Sequence, residues 1–190
     1  MRANPSGPAR LTGPTYAGGV FGADADRERL RRKYQSLGLG ELAAAVVFTV
    51  IALRWLGLGA DRDTSLALWS ALAPLLVILI QAGAYWLLAR TWVLRREMPG
   101  GLARLYRAFR LIDVLLLVAG LIGVLIWRPA DVLGTVLLLI IWLFGVIEFI
   151  NYFVMRLAYP INNWFAEVGQ RRTPRLMLDV WSSSGRPLPR

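Results

Sequence analysis

Four long apolar runs divide the chain, at about 37–58, 66–88, 108–127 and 132–157, with short polar stretches between them. A helix rises 1.5 Å per residue, so about 20 apolar residues cross a hydrocarbon core of about 30 Å, and each run predicts one transmembrane helix. The second run continues with helical composition through Arg90, Trp92 and Arg96 until Pro99, Gly100 and Gly101 force a turn. Leu102, Leu105, Tyr106 and Phe109 then recur at helical spacing into the third run, which predicts a helical hairpin projecting beyond the membrane. After Pro160, Ile161, Trp164, Phe165 and Val168 follow i, i+3, i+4, i+7, the pattern of a short amphipathic helix lying in the interface. The expected fold is therefore all-α: a polytopic membrane bundle of four transmembrane helices with an amphipathic C-terminal interfacial helix. Residues 26–172 form the transmembrane domain, with the interfacial helix at about 161–172. Residues 1–25 read as a disordered arm and 173–190 as a flexible tail, both rich in Pro, Gly or Ser.

Composition agrees with a membrane protein: 56% of the 190 residues are hydrophobic and the mean hydropathy is +0.50. The polar opening residues, with Pro5, Pro8 and Pro14 ahead of any apolar core, do not read as a cleavable signal peptide. The net charge of +10 is distributed unevenly. Nineteen of the 22 Lys and Arg residues lie before the first run, in the segment from Arg90 to Arg110, or in the segment from Arg156 to Arg190; only Arg54, Arg62 and Arg128 lie on the other side. Because short cytoplasmic flanks carry the excess of basic residues, both termini and the middle loop are expected in the cytoplasm. Trp55, Trp69 and Trp127 fall at the outer ends and Tyr85, Trp86, Trp92, Tyr106 and Trp164 near the inner ones, as interfacial anchors, while Trp142 sits deep. The two outer loops are too short to hold a ligand.

Cysteine and histidine are absent, which removes disulfides, thiol nucleophiles, imidazole bases and most zinc sites, and no metal or cofactor is expected. No nucleophile elbow, phosphate loop or spaced carboxylate motif points to an enzyme. Candidate chemistry lies instead in ionisable residues within the runs, which cost about 2.5 to 3.5 kcal/mol each to insert. Glu148, Asn151, Tyr152, Met155, Arg156 and Tyr159 share one face of the fourth helix, and Arg110 and Asp113 share a face of the third. With a short turn between antiparallel spans three and four, residues at equal depth have numbers summing to about 260, which sets Asp113 level with Glu148 and Arg110 level with Asn151. A sum near 123 for spans one and two sets Glu41 beside Gln81. The outer half offers only Thr49, Ser70 and Thr135.

Two readings of this cluster stand. In one, Glu41, Gln81, Arg110, Asp113, Glu148, Asn151, Tyr152 and Arg156 wall a pocket accessible to water or lipid headgroups from the cytoplasm. In the other, Arg110 bridges Asp113 and Glu148 and simply locks two helices together. Ala119, Gly120 and Gly123 allow a close helix approach, expected within the bundle, and Pro74 allows a kink. The basic run 27–33, directly before a membrane helix, predicts attraction to anionic lipid headgroups and not to nucleic acid.

The run Ile147-Glu-Phe-Ile-Asn-Tyr152, followed by Arg156, Leu157 and Tyr159, resembles a segment of small uncharacterised bacterial four-helix membrane proteins, over about a dozen residues. The use of Arg for every basic residue but Lys33, with many Ala, Gly and Leu, resembles an actinobacterial sequence. That resemblance implies the four-helix plan and carries no activity. The expected function is a non-enzymatic interaction or scaffold subunit with a protein partner or a second copy of itself. The alternative is a proton- or cation-coupled transporter or channel subunit using Glu148, and the third an enzyme acting on lipid-linked substrate through Asp113 or Glu148.

Overall fold

A computed structural model describes residues 17–57, 59–93, 97–154 and 174–183, with the side chains of 17–24 outside that description. Among the described residues there are five helices: α1 (Ala17–Leu56), α2 (Arg62–Ala89), α3 (Gly100–Ile126), α4 (Val132–Phe153) and α5 (Arg175–Ser182). The first four are long and apolar enough to cross a membrane.

The bundle is organised around α2. In its most apolar stretch 61% of residues are buried, against 17% for α1, 28% for α3 and 22% for α4. The reason is contact: α1, α3 and α4 all pack on α2, α3 and α4 also pack on each other, and α1 has α2 as its principal neighbour. The remaining faces are apolar and exposed, including Val46, Val50 and Ile51 on α1, Leu111, Leu115 and Ile122 on α3, and Leu133 and Ile140 on α4. A surface of that kind is costly in water and favourable in lipid.

Close approach is built from small residues. A Cβ on Gly83 would meet the Leu42 side chain at 2.8 Å and one on Gly38 would meet the Gly83 carbonyl oxygen at 2.9 Å, so these two glycines let α1 lie against α2. Gly120 does the same for α3, where an added Cβ would fall 2.5 Å from the Ser70 carbonyl oxygen and 2.9 Å from Pro74 Cγ. Pro74 lies inside an unbroken α2, its ring packed toward Gly120. Gly123 faces the Ser70 side chain, whereas Ala119 is exposed and takes no part in this seam.

Four expectations about the ends of the helices need correction. The arm expected to be disordered up to residue 25 is helical from Ala17, because extending an existing helix adds one hydrogen bond per residue fixed, without a new nucleus. The second helix does not run on to Pro99: it ends at Ala89, and Trp92, Val93 and Met98 are buried as the chain folds back under the bundle. Among the described residues no projecting hairpin forms there, since Ala103 and Tyr106 at the start of α3 are buried as well. Part of the tail expected to be flexible is α5, whose Leu176, Met177 and Val180 are buried against α3 and α4. Burying this apolar face offsets the entropy of ordering an eight-residue helix that would not persist alone. The interfacial helix expected at 161–172 and the end of the fourth span beyond Val154 lie outside the described residues.

Candidate functional site

The polar residues collect at the end of the bundle that holds Lys33, the α2–α3 connection and α5. They form three separate links between helices.

The first joins α2 to α3. Asp113 is fully buried, and its Oδ1 accepts a hydrogen bond of 3.0 Å from Gln81 Nε2. Tyr106 Oη donates to the Gln81 carbonyl oxygen at 3.0 Å, so one residue of α2 is held twice by α3. Among the described residues Asp113 Oδ2 and Gln81 Oε1 have no hydrogen-bond donor.

The second joins α1 to α4 through α2. Trp86 Nε1 donates to Tyr152 Oη at 3.4 Å, and the Tyr152 hydroxyl donates to Glu41 Oε1. Glu148, one turn before Tyr152, accepts a hydrogen bond from Asn151 on its own helix. Glu41 and Glu148 both line a lateral groove between α1 and α4, so the two carboxylates share one opening. Asn151 faces a neighbouring cavity with Lys33 and Arg175.

The third fastens α5. Asp179 Oδ2 accepts from Tyr85 Oη at 2.9 Å and Trp92 Nε1 at 3.1 Å, while its Oδ1 pairs with Arg175 Nε at 3.1 Å. Around these contacts the rings of Tyr34, Tyr85, Trp86, Tyr106 and Phe109 meet at tilted or edge-on angles, with centroids 5.0 to 5.8 Å apart. That is the spacing at which aromatic pairs attract.

Of the eight residues selected from sequence, the structure brings Gln81 to Asp113 and Glu41 to Tyr152, sets Glu148 along the α1–α4 groove with Glu41, and sets Asn151 along the neighbouring cavity. The expected bridge is not formed. Arg110 is exposed, and among the described residues no ion pair joins it to Asp113 or Glu148. The levels are nonetheless as expected: Trp142 Nε1 donates to the Leu117 carbonyl oxygen at 2.8 Å, and Gly145 abuts Leu117, pairs whose numbers sum to 259 and 262. What differs is the direction. Asp113 turns toward α2, where an amide donor waits, and Arg110, three residues before it, lies about 60° away around the helix. Arg156 lies outside the described residues.

Asp179 was not anticipated. Its signal was present in the i, i+4 pair Arg175 and Asp179 and in the stripe Leu176, Met177, Val180 directly after Pro174, a helix start of ordinary kind. The opposite half of the bundle is plain by comparison. Thr49 Oγ1 donates to the Ala45 carbonyl oxygen at 2.8 Å, Ser70 Oγ to that of Leu66 at 2.7 Å and Thr135 Oγ1 to that of Asp131 at 3.2 Å, all within or at the start of their own helices. Among the described residues no group of His, Cys, Asp and Glu is placed to hold a metal ion. Comparison with family models, with curated proteins and with solved structures finds no match for this chain.

Proposed function

We propose that the chain is a non-enzymatic interaction or scaffold subunit of a bacterial inner membrane, with its termini and its polar end in the cytoplasm. One observation carries this reading: the polar groups of the bundle are engaged in bonds between helices at one end, and the hydroxyls of the other half bond back to their own helices. Such an arrangement fixes helix positions; a transport route asks for polar groups near the midplane with access from both sides. The basic surface of 27–33 favours the cytoplasmic assignment through the charge rule for short flanks and through its attraction to anionic headgroups. On this reading the exposed apolar face of α1, which has α2 as its principal neighbour, is where another membrane helix docks.

A photo-crosslinking amino acid at Val47 or Val50, in native membranes, tests it. A discrete protein adduct, identified as one partner or as a second copy of the chain, is expected at these positions and not at the buried Leu75. Proton or cation flux through vesicles containing the pure protein would move the transport reading ahead, since Glu41 and Glu148 share one lateral opening.

A further inference from the structure

Two hollows meet at Glu41. One is a cavity of about 370 Å³ at the polar end, between the N-terminal part of α1, the end of α4 and the start of α5. The other, of about 330 Å³, is the lateral groove between α1 and α4, floored by Leu79 of α2. Leu37 and Glu41 line both, so the two are adjacent. Volumes of a few hundred Å³ are those of small-ligand sites.

Their chemistry is unlike. The cavity brings together two cations, Lys33 and Arg175, with the carboxylate of Glu41, the amide of Asn151 and the rings of Trp86 and Tyr152. Lys33 makes no ion pair among the described residues, and Arg175 meets Asp179 through Nε. The groove is lined by Leu37, Gly40, Ala44 and Phe48 of α1 and by Phe144 of α4, with Ser36, Glu41 and Glu148 as its polar members, and the rings of Phe48 and Phe144, 5.8 Å apart, stand at its deep end. It is apolar at its deep end, carries Glu41 and Glu148 at its other end, and there adjoins a chamber holding both signs of charge. α1 and α4 are free to flank such a slot because each leans on α2 and hardly on the other.

We infer that this composite hollow is a binding site for one phospholipid whose headgroup joins a primary ammonium to a phosphate. The phosphate is matched by Lys33 and Arg175, which sit at the rim. The ammonium is matched by Glu41, by the Asn151 amide oxygen and by the aromatic faces of Trp86 and Tyr152. An acyl chain follows the groove past Gly40 and Ala44 to Phe48. Charge decides between headgroups: an anionic lipid leaves Glu41 and Glu148 without a cation, and a quaternary ammonium has no N–H for the acceptors that face it. The inference does not depend on a protein partner, so it is tested on the isolated chain.

Native mass spectrometry of the full chain in detergent, offered phosphatidylethanolamine, phosphatidylcholine and phosphatidylglycerol with matched acyl chains, reads the site directly. One phosphatidylethanolamine per chain is expected, retained about tenfold better than either of the others. Glu41→Gln keeps an acceptor for the Tyr152 hydroxyl and is expected to erase that preference. Lys33→Ala, at an exposed position, is expected to lower retention about fivefold. Gly40→Leu adds a side chain at a groove-lining position whose Cβ would meet nothing within 4 Å and is expected to lower retention of every lipid. Glycerophosphoethanolamine, which has the headgroup and no tails, is expected to leave the lipid in place; displacement at concentrations matching the lipid would reassign the site to a soluble phosphoamine and overturn the lipid. Equal retention of the three lipids by the unaltered chain would overturn the headgroup assignment. If Glu41→Gln fails to fold, wild-type retention in Lys33→Ala and Gly40→Leu would overturn the site as a whole.

Discussion

The half of the bundle around Leu68, Leu72, Val124 and Leu138 and the half around Tyr85, Trp92 and Tyr106 are both well buried, yet they are held in different ways. In the first, aliphatic side chains and alanines meet across seams opened by Gly120 and Gly123, and polar atoms bond within their own helix. In the second, nearly every contact of note is a directed one, a ring edge or a hydrogen bond from one helix to another. Lipid tails are as apolar as leucine, so helices in a membrane gain little from hydrophobicity alone and associate through close packing or polar bonds. This chain uses one device at each end. Packing sets how near the helices come, and the polar bonds set which faces meet.

The largest effect is expected where packing is tightest. Gly120→Val forces side-chain carbon onto the Ser70 carbonyl, which is backbone and cannot rotate away, and should cost about 3 kcal/mol in a thermal or denaturant unfolding measurement in detergent. A loss smaller than that of any polar substitution below would reverse the proposed division between the halves. Next comes Asp179→Ala, which leaves the Tyr85 hydroxyl and the Trp92 indole without their acceptor. A cost of about 2 kcal/mol is expected, with faster tryptic cleavage after Arg175 as α5 comes loose.

Arg110→Leu should do little, within about 0.5 kcal/mol, because the side chain is exposed. Combined with Glu148→Gln it should be additive; a coupling above about 1 kcal/mol in that double-mutant cycle would restore a bridge between the two. The smallest effect belongs to the connection at the apolar end. Asp61 caps α2 by accepting from the Thr64 backbone N–H at 2.9 Å, and hydrogen bonds from the Thr64 side chain and then from that N–H hold its carboxyl below the ordinary value of 3.8. A lowered folded-state pKa gives stability that is present above 3.8 and is lost as pH falls through the folded value. Acidification through that window should therefore lower the melting temperature slightly more for the natural chain than for Asp61→Asn.

The fold is legible in the sequence where one dimension suffices. Hydropathy located the four spans, and counting from a tight turn set the levels, as the contact of Trp142 with Leu117 and that of Leu42 with Gly83 illustrate. Rotation about each helix axis was the missing quantity. Arg110, Asp113 and Glu148 were matched by depth and by opposite charge, but Asp113 faces Gln81, a neutral partner on a helix two elements away from α4, and a count along spans three and four cannot register it. The docking of α5 was obscured differently. Its apolar stripe is only three residues long, and the partners that make it worthwhile, Tyr85 and Trp92, lie far off in the chain and were absorbed into the reading as interfacial anchors.

The clasp on α5 also imposes a timetable. Tyr85 is made 94 residues before Asp179, and Trp92 is made 87 residues before it. At about 5 to 20 residues per second, the Tyr85 hydroxyl and the Trp92 indole wait some 5 to 20 seconds for their carboxylate. During that interval the polar end of the bundle is unfinished, and the nascent chain offers there a pair of donors that any passing carboxylate or phosphate can occupy. Arrival of Asp179 ends that exposure, so the short helix acts as a seal applied after the four long helices have been made.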